Sequence, residues 1–314
     1  MMDYGHKYAD DRLKSLEKKL KKEYSKAAAE AHQKARMYLD GFSEYDKILA
    51  EKVKSGEMLK ADYLKWRKDT LFYGEQWQDT TKMLTESFIN AGEIAADMIS
   101  DTSLDAFAMN FNFGTYEVEK LSKLDTSFTL YDKTTIKRLI EKEPDLLPIK
   151  NLEKKFTSKK AMRWHQKKLQ SVATQSILQG DSIPTIAQRL ARETANSDLN
   201  SAVRNARTMM TSAENGGRVE SYKRAQELGI KMKKEWLATL DNRTRHTHEE
   251  INGDQVNIDD KFKNGLRYPG DPEGEPDEVY NCRCTLVGAL ENIDNDIDLE
   301  PTSVGSFEDW QNEH

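Results

Sequence analysis

The chain has 314 residues, of which 37% are hydrophobic and 32% charged, with a formal net charge of −6 and two cysteines. No stretch approaches the roughly 20 apolar residues that a membrane-spanning helix needs, and the N-terminus lacks the apolar core of a secretory signal. Two cysteines exclude a disulfide framework and fit a reducing compartment. The charge is unevenly spread: residues 241–314 carry 6 Lys/Arg against 19 Asp/Glu, a net of −13, which leaves +7 on residues 1–240.

No proline occurs before Pro144, so long helices are permitted from the start. Leu13, Leu16, Leu20, Tyr24, Ala27, Ala31 and Tyr38 recur at helical spacing and predict a helix over 6–39, with Gly41 as its C′ residue. A second helical region is predicted over 60–100, with Tyr63, Trp66, Leu71, Trp77, Leu84, Phe88, Ile94 and Met98 as core. The stretch "DTSLDAFAMNFNFGTYEVEK" reads as mixed, and a short helix follows near 132–142. Beyond the prolines of "EPDLLPIKN", three further helices are predicted over 158–178, 184–194 and 198–228, the second with Pro184 near N1.

At residue 230 the texture changes. "IKMKKEWLATL" places Ile230, Met232, Trp236 and Ala238 on one face of a strand, and Asn252-Gly253 signals a hairpin turn. "CRCTLVGAL" reads as a short closing strand. The expected fold class is therefore α+β. An elongated, mainly helical N-terminal body (1–150, then 151–229) leads into a small α+β lobe (230–290). The acidic tail (291–314) is expected to be mobile or docked on a partner. In "DNDIDLE" (294–300) three aspartates are spaced like the start of a calcium loop, but Leu299 stands where glycine is required, which argues against calcium.

Two polar clusters invite chemistry: "DNRTRHTHEEINGD" (241–254) and "YNCRC" (280–284). Extended backbone would put Cys282 and Cys284 on one side, and His246 and His248 likewise, so the lobe could bring zinc ligands together. A metal-free reading is equally physical. Asp241, Arg243 and Arg245 can form forked bonds that tie the Trp236 strand to the loop of Arg283, with Asn281 holding a turn. A catalytic reading would centre a metal-dependent nuclease or other enzyme on Asp241, Arg245, His248 and Cys282. No phosphate loop, G-x-S-x-G, H-E-x-x-H or deaminase signature accompanies it. Separately, 150–168 holds eight Lys/Arg against one Glu. Lys154, Lys155, Lys159, Lys160, Arg163, Lys167 and Lys168 could neutralise phosphates of nonspecific double-stranded DNA, and Trp164 could stack on a base; the alternative is a solvated face.

Trp236, then Asp241-x-Arg243-Thr244-Arg245-x-x-His248, the Gly253 turn, Phe262, Tyr268-Pro269-Gly270 and finally Asn281-Cys282-Arg283-Cys284 resemble the Mu F-like minor head protein family of tailed bacteriophages. The resemblance covers 185–290. It implies a low-copy component of the virion (head interior or portal region) that is present in the host cytoplasm during assembly. It also implies binding to the portal protein, with capsid or scaffolding protein as further partners, and an effect on DNA packaging or delivery. Some relatives carry an effector domain after this lobe. The 24 residues that follow Leu290 are too few for one, so no enzyme is expected. His246 falls outside the family pattern, which leaves His248, Cys282, Cys284 and an oxygen from Asp241 as the zinc set. The expected cofactor is otherwise none.

Overall fold

The computed structural model describes residues 3–294, 297 and 299–314; of the aspartates in 294–300, Asp296 and Asp298 lie outside the described residues. The elements in order are α1 (Tyr4–Asp40), α2 (Ser43–Ser55), α3 (Lys60–Leu71), α4 (Glu75–Ser122), α5 (Lys133–Lys142), α6 (Ile149–Thr157), α7 (Lys159–Gln179), α8 (Ile183–Glu227), β1 (Ile230–Leu237), α9 (His246–Glu249), β2 (Gln255–Asn257), α10 (Pro276–Val279), β3 (Thr285–Ile293) and α11 (Phe307–Glu313). The chain is mainly helical, with one small sheet in an α+β lobe near its C-terminus.

Two units divide the residues. One comprises residues up to Glu17, Met98–Ile149 and Arg204 onward; the other comprises Lys18–Asp97 and Lys150–Val203. The boundaries fall inside α1, α4 and α8 and after the first residue of α6.

In the second unit, α1 buries Leu20, Tyr24, Ala27, Ala31, Ala35 and Leu39 on its apolar stripe. Gly41 follows the helix without a left-handed φ. The region expected as one helix from 60 to 100 breaks at Phe72–Gly74, where Gly74 adopts φ 90°, and restarts as α4. Ile94 is 40% exposed, because the inward face there is Ala91, Ala95 and Ile99. Arg67 holds Asp46 through two nitrogens at 2.8 and 3.2 Å, and the pair is buried. His165 Nε2 lies 2.9 Å from Asp198, and its ring stacks on Phe88.

The first unit corrects three further expectations. The mixed stretch after residue 100 is the continuation of α4. Its polar residues are buried but satisfied within the helix or by neighbours: Asn110 donates to Ala106 O, Thr115 to Phe111 O, and Asn112 exchanges two bonds with Tyr131. The helices expected at 184–194 and 198–228 are one helix, α8; Pro184 occupies its second position, and Asp198 serves in the second unit as the partner of His165. The acidic tail docks on its own chain, because Trp310 of α11 is fully buried and donates from Nε1 to Glu119 at 2.5 Å. Phe307 packs beside it among Tyr4, Phe113 and Tyr116.

Within this unit α4 and α8 cross with backbones nearly touching. A Cβ added at Gly217 would stand 2.6 Å from the carbonyl oxygen of Phe107, and one at Gly114 would stand 3.3 Å from Arg218 Cα. Beside the crossing lies Arg218, fully buried. It donates to Asp3 (2.5 and 2.8 Å), Asn110 (3.1 Å) and the carbonyl of Leu286 (2.7 Å), with Glu117 4.0 Å away.

The sheet has the order β2-β1-β3, antiparallel throughout, with Trp236 opposite Leu286. Alternate residues of β1 face inward, as a strand demands. Lys234 takes one of these inward places beside Met232 and Trp236, donates to Ile258 O at 2.5 Å, and has its pKa lowered to about 8 by burial. Gly253, at φ 83°, does not close a two-strand hairpin; it turns the chain from α9 into β2. The apolar core of the lobe includes Val118 of α4 and Val219 and Tyr222 of α8, so the sheet is completed by helices from elsewhere in the chain.

Candidate metal centre

The site is built on a short helical turn, a second turn and an extended tripeptide. The turn α9 directs His248 inward and leaves His246 exposed, because helical rather than extended backbone separates the two rings. Pro276 opens α10 at a position where no amide is needed, and Glu278 lies on that turn. Asn281 then adopts φ 56°, a left-handed conformation that asparagine tolerates. After it, Cys282 and Cys284 run extended, and both present their sulfurs to His248.

Helix α8 fixes this tripeptide from behind. Thr211 donates to Cys282 O at 2.8 Å, and Asn215, one turn later, donates to Cys284 O at 3.4 Å and accepts from the Leu286 amide at 3.0 Å. These i,i+4 partners lie some seventy positions from the thiols, and nothing near the cysteines in sequence announces them. Glu278 was also missed, since it reads as one more surface acid.

His248 Nδ1 lies 3.6 Å from Cys282 Sγ and 3.4 Å from Cys284 Sγ, and Nε2 lies 2.9 Å from a Glu278 carboxylate oxygen. All three side chains are buried, and their ligand atoms lie within 4.8 Å of one another. A carboxylate can only accept, so Nε2 carries the proton and the Nδ1 lone pair faces the sulfurs. Trp236 closes one side edge-on, its ring 5.0 Å from that of His248. Cys282 donates to Cys284, which pulls the Cys284 thiol well below the free-thiol range against the opposing effect of its burial. The same bond, together with burial, pushes the Cys282 thiol up.

The other expected site residues stand apart from this triad. Asp241 binds Arg283 in a two-pronged pair at 2.5 and 2.6 Å, and that fork, followed by the Arg243 amide, holds its carboxyl well below the usual range. Both of its oxygens are engaged there, so Asp241 is not the oxygen ligand of the triad. Arg243 meets Asp241 through its backbone amide, with its guanidinium exposed and 3.7 Å away. Arg245 donates to the carbonyl of Tyr280 at 2.6 Å. Thr239 donates to Arg283 O at 2.5 Å, completing the tie between the end of β1 and the cysteine segment. Residues Arg243, Thr244, Arg245, Asn281 and Arg283 line a narrow hollow that ends at the triad.

The basic segment lies elsewhere, in the second unit. Lys154, Lys155, Lys159, Lys160, Arg163, Trp164 and Lys167 are exposed on α6 and α7 and Lys168 is half-buried, whereas Leu152, Phe156, His165 and Leu169 face inward.

Residues 167–287, which run from α7 into β3 and include the whole triad, match the family described as Phage Mu protein F like protein. Over 166 residues the chain is 31% identical to the NAD(+)--arginine ADP-ribosyltransferase EFV of Enterococcus faecalis, covering 50% of this chain and 34% of that protein. It thus spans about a third of the length of that relative. Over 295 residues it is 25% identical to the Minor head protein GP7 of Bacillus phage SPP1, covering 91% of this chain and 85% of that protein. No solved structure matches the chain. Residues 167–287 thus match the Mu F-like family, and along nearly its full length the chain is similar to a phage minor head protein.

Proposed function

We propose that this chain is a minor component of a tailed-phage head that binds the portal protein during procapsid assembly and assists DNA packaging or delivery, without catalysis of its own. The observation that supports this most is the alignment with a minor head protein over 91% of the chain, which reaches both units. Capsid or scaffolding protein are the further partners this role brings. Its places are the host cytoplasm during assembly and then the virion, in the head interior or portal region. No helix among the described residues is long and apolar enough to cross a membrane. The transferase activity named for the enterococcal relative stays with that protein, a third of which is spanned. A nuclease centre of Asp241, Arg245, His248 and Cys282 is disfavoured: Asp241 is spent on Arg283, and thiolate ligands suit zinc better than the hard cations of phosphoryl transfer.

The test is co-assembly. When the chain is produced with the capsid, scaffolding and portal proteins of its phage, procapsids are expected to retain it only if the portal is present. Equal incorporation into portal-less shells would refute the portal assignment.

A second reading rests on the exposed basic face of α6 and α7: this face binds double-stranded DNA without sequence preference. Affinity should then fall steeply with salt, by about one unit of log K per log salt for each phosphate neutralised. The combined change Lys159→Glu, Lys160→Glu, Arg163→Glu and Lys167→Glu should flatten that slope. A salt-independent affinity, or one untouched by the four changes, excludes the reading.

A further inference from the structure

The geometry points to a zinc ion held by His248 Nδ1, Cys282 Sγ and Cys284 Sγ, with Glu278 fixing the histidine from behind and water completing the tetrahedron. Zinc sits about 2.3 Å from sulfur and about 2.0–2.1 Å from imidazole nitrogen, which in a tetrahedron places sulfur and nitrogen about 3.6 Å apart. The two observed separations are 3.6 and 3.4 Å. Both sulfur–nitrogen separations are therefore close to those a shared zinc ion would impose, and all three ligand atoms lie within 4.8 Å of one another.

Three further features suit the ion. A lone pair on Nδ1 is what a metal requires, and the Glu278 bond to Nε2–H is the carboxylate–histidine arrangement that orients metal-bound imidazoles. Two thiolates balance the charge of Zn²⁺, so a neutral centre can stay buried beside Trp236. The backbones of both cysteines are pinned by Thr211 and Asn215, which sets the spacing of the sulfurs before any metal arrives. The small hollow lined by Arg243, Arg245, Asn281 and Arg283 adjoins the three ligands. The ion would link α9 to the segment entering β3.

The experiment uses the full chain. Protein refolded with zinc and then dialysed is expected to keep about one ion per chain, as a folded thiolate site should. Cobalt added to metal-free protein should give sulfur-to-cobalt charge transfer and the intense visible bands of a tetrahedral ion. Glu278→Gln, which leaves all three ligands in place, should weaken zinc binding about 10–100-fold with an unchanged circular dichroism spectrum. The double change Cys282→Ser and Cys284→Ser should abolish binding. If that variant fails to fold, the cobalt spectrum of the unaltered chain still decides. Zinc retained at full stoichiometry by a folded double serine variant would overturn the proposal. So would metal-free wild-type protein that shows no sulfur-to-cobalt band and whose thiols alkylate equally fast with and without zinc.

Discussion

Arg218→Ala is expected to remove about 3–5 kcal/mol of folding stability, the usual cost of breaking a buried ion pair from one side. The guanidinium is fully buried and joins three separate stretches of the first unit: Asp3, the α4 residue Asn110, and the carbonyl of Leu286 in β3. Against a total of about 5–15 kcal/mol, such a loss is large. Its pH dependence has a definite sign. Burial raises the Glu117 pKa to about 7, and Arg218 tempers the rise. The folded state thus holds that proton more tightly than the unfolded chain, so Glu117 contributes fully below the ordinary glutamate range. This contribution is lost as pH rises towards 7. Removing Arg218 moves the pKa higher and prolongs the loss. For Asp3 burial is outweighed by Arg218, and the carboxyl is held low, so its contribution belongs to pH above the ordinary aspartate range and disappears with the arginine. Tyr222, which donates to Glu117, and Lys120 also face that carboxyl and lower its pKa. The Glu117 effect makes the variant's deficit larger at about pH 8 than at about pH 5, measured by urea unfolding, whereas the Asp3 loss is much the same at both. A deficit under about 1 kcal/mol, of the size of an exposed pair, would show that Arg218 is not the buried hub described.

Trp310→Ala should cost about 3–5 kcal/mol and free the C-terminal segment. The indole is fully buried, stacks near Phe128 and Phe307, and donates to Glu119, which also accepts from the amide and hydroxyl of Thr126. Trp310→Phe keeps most of the apolar volume and removes the donor, so about 1–3 kcal/mol is expected for an acceptor left unsatisfied. Limited proteolysis gives an independent check. In the unaltered chain 299–314 should resist cleavage, and in Trp310→Ala it should be cut first. Equal cleavage in both would mean that α11 does not dock as described.

The long helices were readable wherever their apolar stripe was uninterrupted, as in the Leu16, Leu20, Tyr24, Ala27 and Ala31 series of α1. Reading failed where a helix is buried on more than one side. Asn110, Asn112 and Thr115 look like loop residues in sequence, yet each satisfies its polar atoms within α4 or against Tyr131. The tail misled for a related reason: charge dominates 291–314, and two aromatic residues anchor it. At the site, the thiols and His248 could be found because residue type carries the signal. Glu278, Thr211 and Asn215 could not, since their roles depend on folding that brings α8 and α10 to the cysteines. Asp241 was drawn into the ligand set by its place in the motif, whereas the nearest strong donor, Arg283, claims it.

The first unit recruits residues from the beginning, middle and end of the chain: Asp3 meets Arg218, and Glu119 meets Trp310. During translation the earliest of these leaves the ribosome some three hundred residues before the last. A nascent chain stalled before α11 would leave Phe113, Tyr116 and Phe128 without the Phe307 and Trp310 rings that pack on them. Closure of this unit therefore waits until α11 has been made, and copies terminated before it would present these rings to chaperones or proteases.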